Sequence, residues 1–341
     1  MQLTELDARR HSITTRSGEI SYIDIDPVTP EDPRGTGPVA LFVHGIATNA
    51  FLWRNVIGAL SGQRPGNRRC IALDLPLHGR SPVTAGQDLS VAALTEGLED
   101  FCDALGLTGI DLVANDTGGA IAQIFAARYP HRLATLTLTD CDTAGNLPPE
   151  EFKPTVELAR SGDLAPTAVA LFADLDAAAK VAFGNGYEHL DRVDPAVIRS
   201  YLEPCFGSLE RAREFERLLA ALDADDLAAV TAALGELTVP TLVVWGTGDE
   251  AFDVSWAYWL RDTIPGTTRV VTVDGARLFF PDERAMDLVP HLEQHWAAAA
   301  VRAWPAARSA LCPSPPARRG RRGPVNAGRP AGERSPAGRP A

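Results

Sequence analysis

The chain has 341 residues, 45% of them hydrophobic, enough to bury a large core. Its formal charge of −12 is unevenly spread: nine Arg against one Glu put +8 on residues 301–341, so residues 1–300 carry −20. An acidic body of this kind argues against nucleic acid as a partner, and no apolar run of 18 residues offers a membrane span. Five scattered Cys without CxxC spacing (70, 102, 141, 205 and 312) suggest neither a disulfide framework nor a zinc site, and read as reduced thiols in a cytoplasmic protein. The first residues lack the apolar core of an export signal.

In chain order, "EISYIDID" (19–26) alternates and predicts an early antiparallel strand. Six near-continuous aliphatic and β-branched runs follow: 38–45, 69–76, 110–116, 133–142, 240–249 and 268–276. Runs of this type predict parallel strands covered by helices on both faces. Helices lie between them, such as 90–106, where Leu94, Leu98, Phe101 and Leu105 recur at helical spacing. The βαβ rhythm predicts an α/β fold with a mostly parallel central sheet. Between 145 and 236 only helical periodicity remains, which predicts an inserted helical unit, with 1–144 and 237–300 forming the core. From Trp304 onward the composition collapses to Ala, Arg, Gly, Pro and Ser, and the segment 301–341 is expected to be a disordered tail.

Functional groups in an open α/β sheet gather at the carboxyl ends of strands. Here those ends carry His44-Gly45, Asp74, Asp116, Asp140, Asp142 and Asp249. The turn "ANDTGG" (114–119) places Asp116 between small residues at a strand-to-helix junction. It resembles the nucleophile elbow of α/β-hydrolases, although Asp116 as a simple helix N-cap is the plainer alternative.

With "LFVHGIATNAFLWRNVIGAL" (41–60) and "RCIALDLPLHGRSP" (69–82), the chain resembles the α/β-hydrolase superfamily. "LWRNVI" (52–57) is similar to haloalkane dehalogenases, which, like epoxide hydrolases, use Asp rather than Ser at the elbow. The resemblance implies a helical cap after the sixth strand, Asp116 as nucleophile, Asp249 as supporting acid, and the backbone N–H groups of Ile46 and Thr117 as oxyanion hole. Asp140 and Asp142 are alternative acids, because some relatives place the acid there. His44 in the oxyanion loop, with Tyr187 and Tyr201 in the cap, are candidate substrate contacts.

Two departures stand out. The catalytic His is expected within "DGARLFFPDERAMDL" (274–288), where this chain has Arg277, a residue that cannot act as a base. Set between Asp116 and Asp249, its guanidinium is expected to lower their pKa values and keep Asp116 ionised. His78 and His189 are the best placed of the other histidines to substitute. The Trp and Asn that donate N–H to halide in dehalogenases are replaced by Thr117 and Ile46. The sequence therefore predicts a cofactor-independent, metal-free hydrolase for a small, largely apolar molecule. A lyase, isomerase or cyclase using Asp116 as base, and a binding protein without turnover, are the other readings.

Overall fold

The computed structural model describes residues 3–26, 39–61 and 68–311, with side chains as far as Val301. Eight strands form one sheet: β1 (Arg10–Thr15), β2 (Gly18–Ile25), β3 (Val39–Val43), β4 (Arg69–Leu73), β5 (Ile110–Asp116), β6 (Leu133–Cys141), β7 (Thr241–Gly246) and β8 (Thr267–Val273). Their order is β1-β2-β4-β3-β5-β6-β7-β8. β1 and β2 pair antiparallel, as do β2 and β4, and the rest of the sheet is parallel. The early antiparallel strand is thus the inner half of a hairpin. Its outer half, "RHSITT", has no buried position, so nothing in its apolar pattern marks it as a strand.

Residues alternate between two apolar layers, as the period of a strand requires. Leu41, Val43, Leu112, Ala114, Leu136, Leu138, Val243 and Trp245 share one layer with Leu94, Leu98, Ile121 and Phe125. Those last four belong to helices α3 (Val91–Ala104) and α4 (Thr117–Arg128), which follow α1 (Leu3–Asp7) and α2 (Arg54–Leu60) in the chain. Ala40, Phe42, Val113, Leu242 and Val244 face the other layer, with Val56, Ile57, Leu288, Leu292 and Trp296. Burying each large aliphatic side chain contributes about 1.5–3 kcal/mol, so the central strands are the most strongly held part of the chain.

Every regular element between β6 and β7 is helical. A 3-10 turn at Glu150–Phe152 leads into α5 (Lys153–Ser161), α6 (Leu164–Phe172), α7 (Leu175–Phe183), α8 (Pro195–Phe206), α9 (Leu209–Ala220), α10 (Ala224–Ala228) and α11 (Thr231–Leu234). After β7 come α12 (Ser255–Thr263), α13 (Phe280–Glu283) and α14 (Ala285–Leu311). The last helix runs past Trp304 to Leu311, into the segment expected to be a tail. Its Ala-rich stretch keeps high helix propensity after the apolar periodicity that signals a helix has faded. The rest of that expected tail, 312–341, lies outside the described residues. Among the described residues no helix is long and apolar enough to cross a membrane.

Candidate active site

The sharp turn from β5 into α4 is built on Asp116, which adopts φ 56° and ψ −136°. A non-glycine residue at positive φ is uncommon and strained, and such strain concentrates at functional sites. Its side chain makes no capping hydrogen bond to the helix, which sets aside the plain N-cap reading. The turn closes because its neighbours lack side chains. A Cβ on Gly118 would lie 2.4 Å from the His44 carbonyl oxygen, and one on Gly45 would lie 2.2 Å from Asp116 Oδ2. The carboxylate consequently rests against the loop after β3, where the backbone N–H of Ile46 donates to Asp116 Oδ2 at 2.9 Å. The backbone N–H of Thr117 also bonds this carboxylate.

Two histidines shape that loop from behind. His44 Nε2 accepts the N–H of Leu75 at 2.9 Å, and Nδ1 lies 2.7 Å from the Gly45 carbonyl oxygen. His78 Nε2 accepts the N–H of Ala47 at 3.1 Å, with Nδ1 3.0 Å from the Pro76 oxygen. Both rings are fully buried, and burial pushes their pKa values down, to about 4 for His44 and about 3 for His78. They are neutral supports of the backbone that presents Ile46. His44, expected as a substrate contact, does not line the cavity at Asp116, and its ring nitrogens face main-chain groups of Leu75 and Gly45.

Four carboxylates cluster at this end of the sheet. Thr117 Oγ1 donates to Asp142 Oδ2 at 2.8 Å, while Asp140 Oδ1 accepts the N–H of Gly246 at 2.8 Å. Asp249 Oδ1 accepts the N–H groups of Ala251 and Phe252 at 2.8 and 3.0 Å. Burial, and next the nearby Asp142, raise Asp116 well above the usual carboxylate range. Burial likewise pushes Asp142 and Asp249 up to about 7 each, and burial followed by Asp249 raises Asp140. The ion pairs of the described residues bring no Arg, Lys or His to any of the four.

Asp116, Thr117, Ile46 and Asp249 line one cavity of about 500 Å³. Its remaining wall is mainly apolar, with Leu164, Leu171, Phe183, Phe206, Phe215, Leu278 and Phe279. Glu151 and Lys180, from the helical segment, also reach it, and nothing in the sequence pattern marked them.

Several expected site residues lie elsewhere. Arg277 points away from the carboxylates, is 3.5 Å from Glu250, and lines a separate groove. Leu278 lines the cavity instead, fixed by its carbonyl oxygen, which accepts from Asn115 Nδ2 at 3.0 Å. The expected lowering of the Asp116 and Asp249 pKa values by a guanidinium is thereby reversed into a rise. Tyr187 and Tyr201 are buried behind the cavity rather than lining it. The Tyr187 hydroxyl donates to Asp282 Oδ2 at 3.0 Å, and Asp282 Oδ1 pairs with Arg54 at 2.6 Å. Their role in this arrangement is packing around an ion pair. Among the described residues no histidine lines the cavity: His78 is committed to the loop, and His189 is exposed beside Glu283.

Residues 38–284 match the family described as the alpha/beta hydrolase fold. A monoacylglycerol lipase of Xenopus laevis, abhd6-A, is 24% identical over 242 residues, 68% of this chain and 67% of that protein. A cis-3-alkyl-4-alkyloxetan-2-one decarboxylase of Shewanella oneidensis is 30% identical over 138 residues, 40% of this chain and 39% of that protein. The crystal structure of the haloalkane dehalogenase DatA from Agrobacterium tumefaciens superposes with a TM-score of 0.69 at 18% identity, covering 85% of this chain and 96% of that one. With its eight-stranded sheet, elbow and family match, the chain belongs to the α/β-hydrolase fold family and is an enzyme of that family.

Proposed function

We propose that the protein is an Asp-nucleophile hydrolase acting on a small, largely apolar electrophile, with residues 145–236 as its cap. The observation that carries this reading is the placement of Asp116. It sits at a strained elbow, opens on an apolar cavity, and has its carboxylate held by the Ile46 N–H. A carboxylate so placed displaces a leaving group from carbon by in-line attack and becomes an alkyl ester of the enzyme. Water then attacks the ester carbonyl, and the N–H groups of Ile46 and Thr117 receive the developing oxyanion. Ile46 has no side-chain donor and the Thr117 hydroxyl is given to Asp142, so an epoxide or strained ester suits this site better than a haloalkane. Four buried, unpaired cysteines accord with a cytoplasmic setting.

Turnover of 1,2-epoxyhexane to its diol by the wild-type protein, abolished by Asp116→Asn, is the expected result. Undiminished turnover by the Asn variant would overturn the reading.

The absence of histidine from the cavity lining favours one second reading, a decarboxylating lyase. Attack of Asp116 on the ring C–O carbon of a β-lactone would open it to a carboxylate-bearing alkyl ester. Loss of CO2 with expulsion of the Asp116 carboxylate then gives an alkene, and neither step needs activated water. This is the substrate class in the name of the Shewanella relative. Alkene and CO2 from a cis-3,4-dialkyl β-lactone would support the lyase, whereas a β-hydroxy acid would support the hydrolase.

A further inference from the structure

We propose that Asp249 is itself the general base that activates water in the release step, taking the place of the histidine this chain lacks. The inference rests on the reading that Asp116 forms an alkyl ester. Among the residues lining the cavity, Asp116, Asp249 and Glu151 are those whose side chains can accept a proton from water. Asp116 is consumed in the ester, and Glu151 stands exposed on its 3-10 turn. Asp249 is built differently. One oxygen, Oδ1, is pinned by the N–H groups of Ala251 and Phe252, which fixes the carboxyl. The other, Oδ2, is buried and has no hydrogen-bond partner among the described residues.

In the usual arrangement a supporting acid has its free oxygen covered by an imidazole N–H. Here Leu278 lines the cavity with an apolar side chain, and Asp249 faces the cavity without an intermediary. Of the charged groups around Asp249, Glu151 from the helical segment, Glu250 beside it, Asp140 from β6 and Asp116 from the elbow are acidic, and Lys180 from the helical segment lines the same cavity. Arg277 is tied to Glu250 rather than to Asp249. Burial, opposed by the two backbone N–H groups and aided by Glu151 and Glu250, pushes Asp249 up to about 7, where a base is most effective near neutral pH.

Asp249 Oδ2 takes one proton from water as the water oxygen bonds to the Asp116 ester carbonyl carbon, and the carbonyl electron pair moves to the oxygen held by Ile46 and Thr117. Collapse expels the alkoxide, which recovers the proton from Asp249 and leaves as the alcohol. Asp116 is regenerated as a carboxylic acid carrying one oxygen from water.

The test separates the two chemical steps. Protein alkylated with 1,2-epoxyhexane at pH 8.5 is freed of excess probe and transferred to buffers from pH 5 to 9 in 18O-water, and adduct loss is followed by intact mass. The expected wild-type rate rises with pH through about 7, with 18O in the Asp116 peptide. Asp249→Asn should form the same adduct but lose it at least about 100-fold more slowly. Asn keeps an Oδ1 that accepts both backbone N–H groups, so a purely structural role would leave the rate unchanged. Release by Asp249→Asn at the wild-type rate, or a wild-type rate flat from pH 5 to 9, overturns the inference. If that variant fails to fold, the wild-type pH profile decides alone. No adduct on Asp116 in either the wild type or Asp249→Asn, which lacks the base that clears it, would overturn the nucleophile reading, and this inference with it.

Discussion

Asp282 and Asp116 are both held near the base of the helical segment, and their surroundings are opposite. Asp282 lies against the Arg54 guanidinium, the Tyr187 hydroxyl and the Asn55 amide, whose Nδ2 is 3.1 Å from Oδ1. Buried carboxylates elsewhere in the core follow the same pattern: Asp74 pairs with Arg10, and Asp111 with Arg68. At the carboxyl ends of β5, β6 and β7, Asp116, Asp140, Asp142 and Asp249 gather with no ion-pair partner among the described residues, although Lys180 lines the cavity that Asp116 and Asp249 share. A buried charge is expensive unless paired, so pairing marks carboxylates that hold the fold together. Burial raises paired carboxylates as well, Asp282 to about 6 with Arg54 opposing the rise. Without a counter-ion, Asp142 and Asp249 rise to about 7 and Asp116 and Asp140 rise well above the usual range, the condition for acid–base and nucleophilic work. The chain thus uses one residue type for two purposes, and arginine decides which.

Removing a member of each cluster should give different kinds of failure. Asp116→Asn should lower the rate of covalent adduct formation on the order of 10⁴-fold or more, with a thermal midpoint close to wild type. Comparable alkylation in the Asn variant would show that another group is the nucleophile. Arg54→Ala strands a buried carboxylate and should cost about 3–5 kcal/mol of stability, measured by denaturant unfolding. A loss below about 1 kcal/mol would remove the contrast between the clusters.

How much of this contrast is legible in the sequence depends on which link carries it. Strands β3 to β8 are continuous apolar runs, and a strand end fixes where its last residue lies. The residue pattern therefore brings Asp116 and Asp249 to one end of the sheet, and the resemblance adds Ile46 and Thr117 to them. Arg277 cannot be placed in this way, because it lies in the turn after β8, where no strand or helix period sets which side chain faces the cavity, and Leu278 lines it instead. Ring nitrogens satisfied by main chain, as in His44, leave no trace in a pattern of residue types. Nor does the packing of helices that brings Glu151 and Lys180 to the cavity. The pairing of Arg54 with Asp282 is hidden for a similar reason: "LWRNVI" reads as a family match, and only the fold shows that its arginine is a structural counter-ion.

Like-charge crowding can be tested more gently. Asp142→Asn removes the neighbour that, after burial, most raises Asp116, so the pH profile of Asp116 alkylation should move to lower pH. An unmoved profile would mean that Asp142 does not act on Asp116. Stability carries the same signature. Asp142 and Asp249 bind protons up to about pH 7 in the folded protein and only to about 3.8 when unfolded. Their contribution is therefore full below pH 4 and is lost as pH rises through 7. Thermal midpoints should show this decline, and Asp142→Asn or Asp249→Asn should flatten it. The smallest effect is expected from Arg277→Ala, since a half-exposed pair with Glu250 is worth about 0–1 kcal/mol and touches none of the four carboxylates. A large loss of activity there would return Arg277 to the site.

The contrast between the clusters has functional meaning only if Asp116 is the reactive member of the uncompensated one. Peptide mapping after brief exposure to 1-bromobutane or 1,2-epoxyhexane, repeated from pH 5 to 9, measures this directly. A single adduct on Asp116, forming faster as pH rises and its raised proton affinity is overcome, is the predicted result. An adduct on a different residue, or one on Asp116 whose rate does not change over that range, would contradict it.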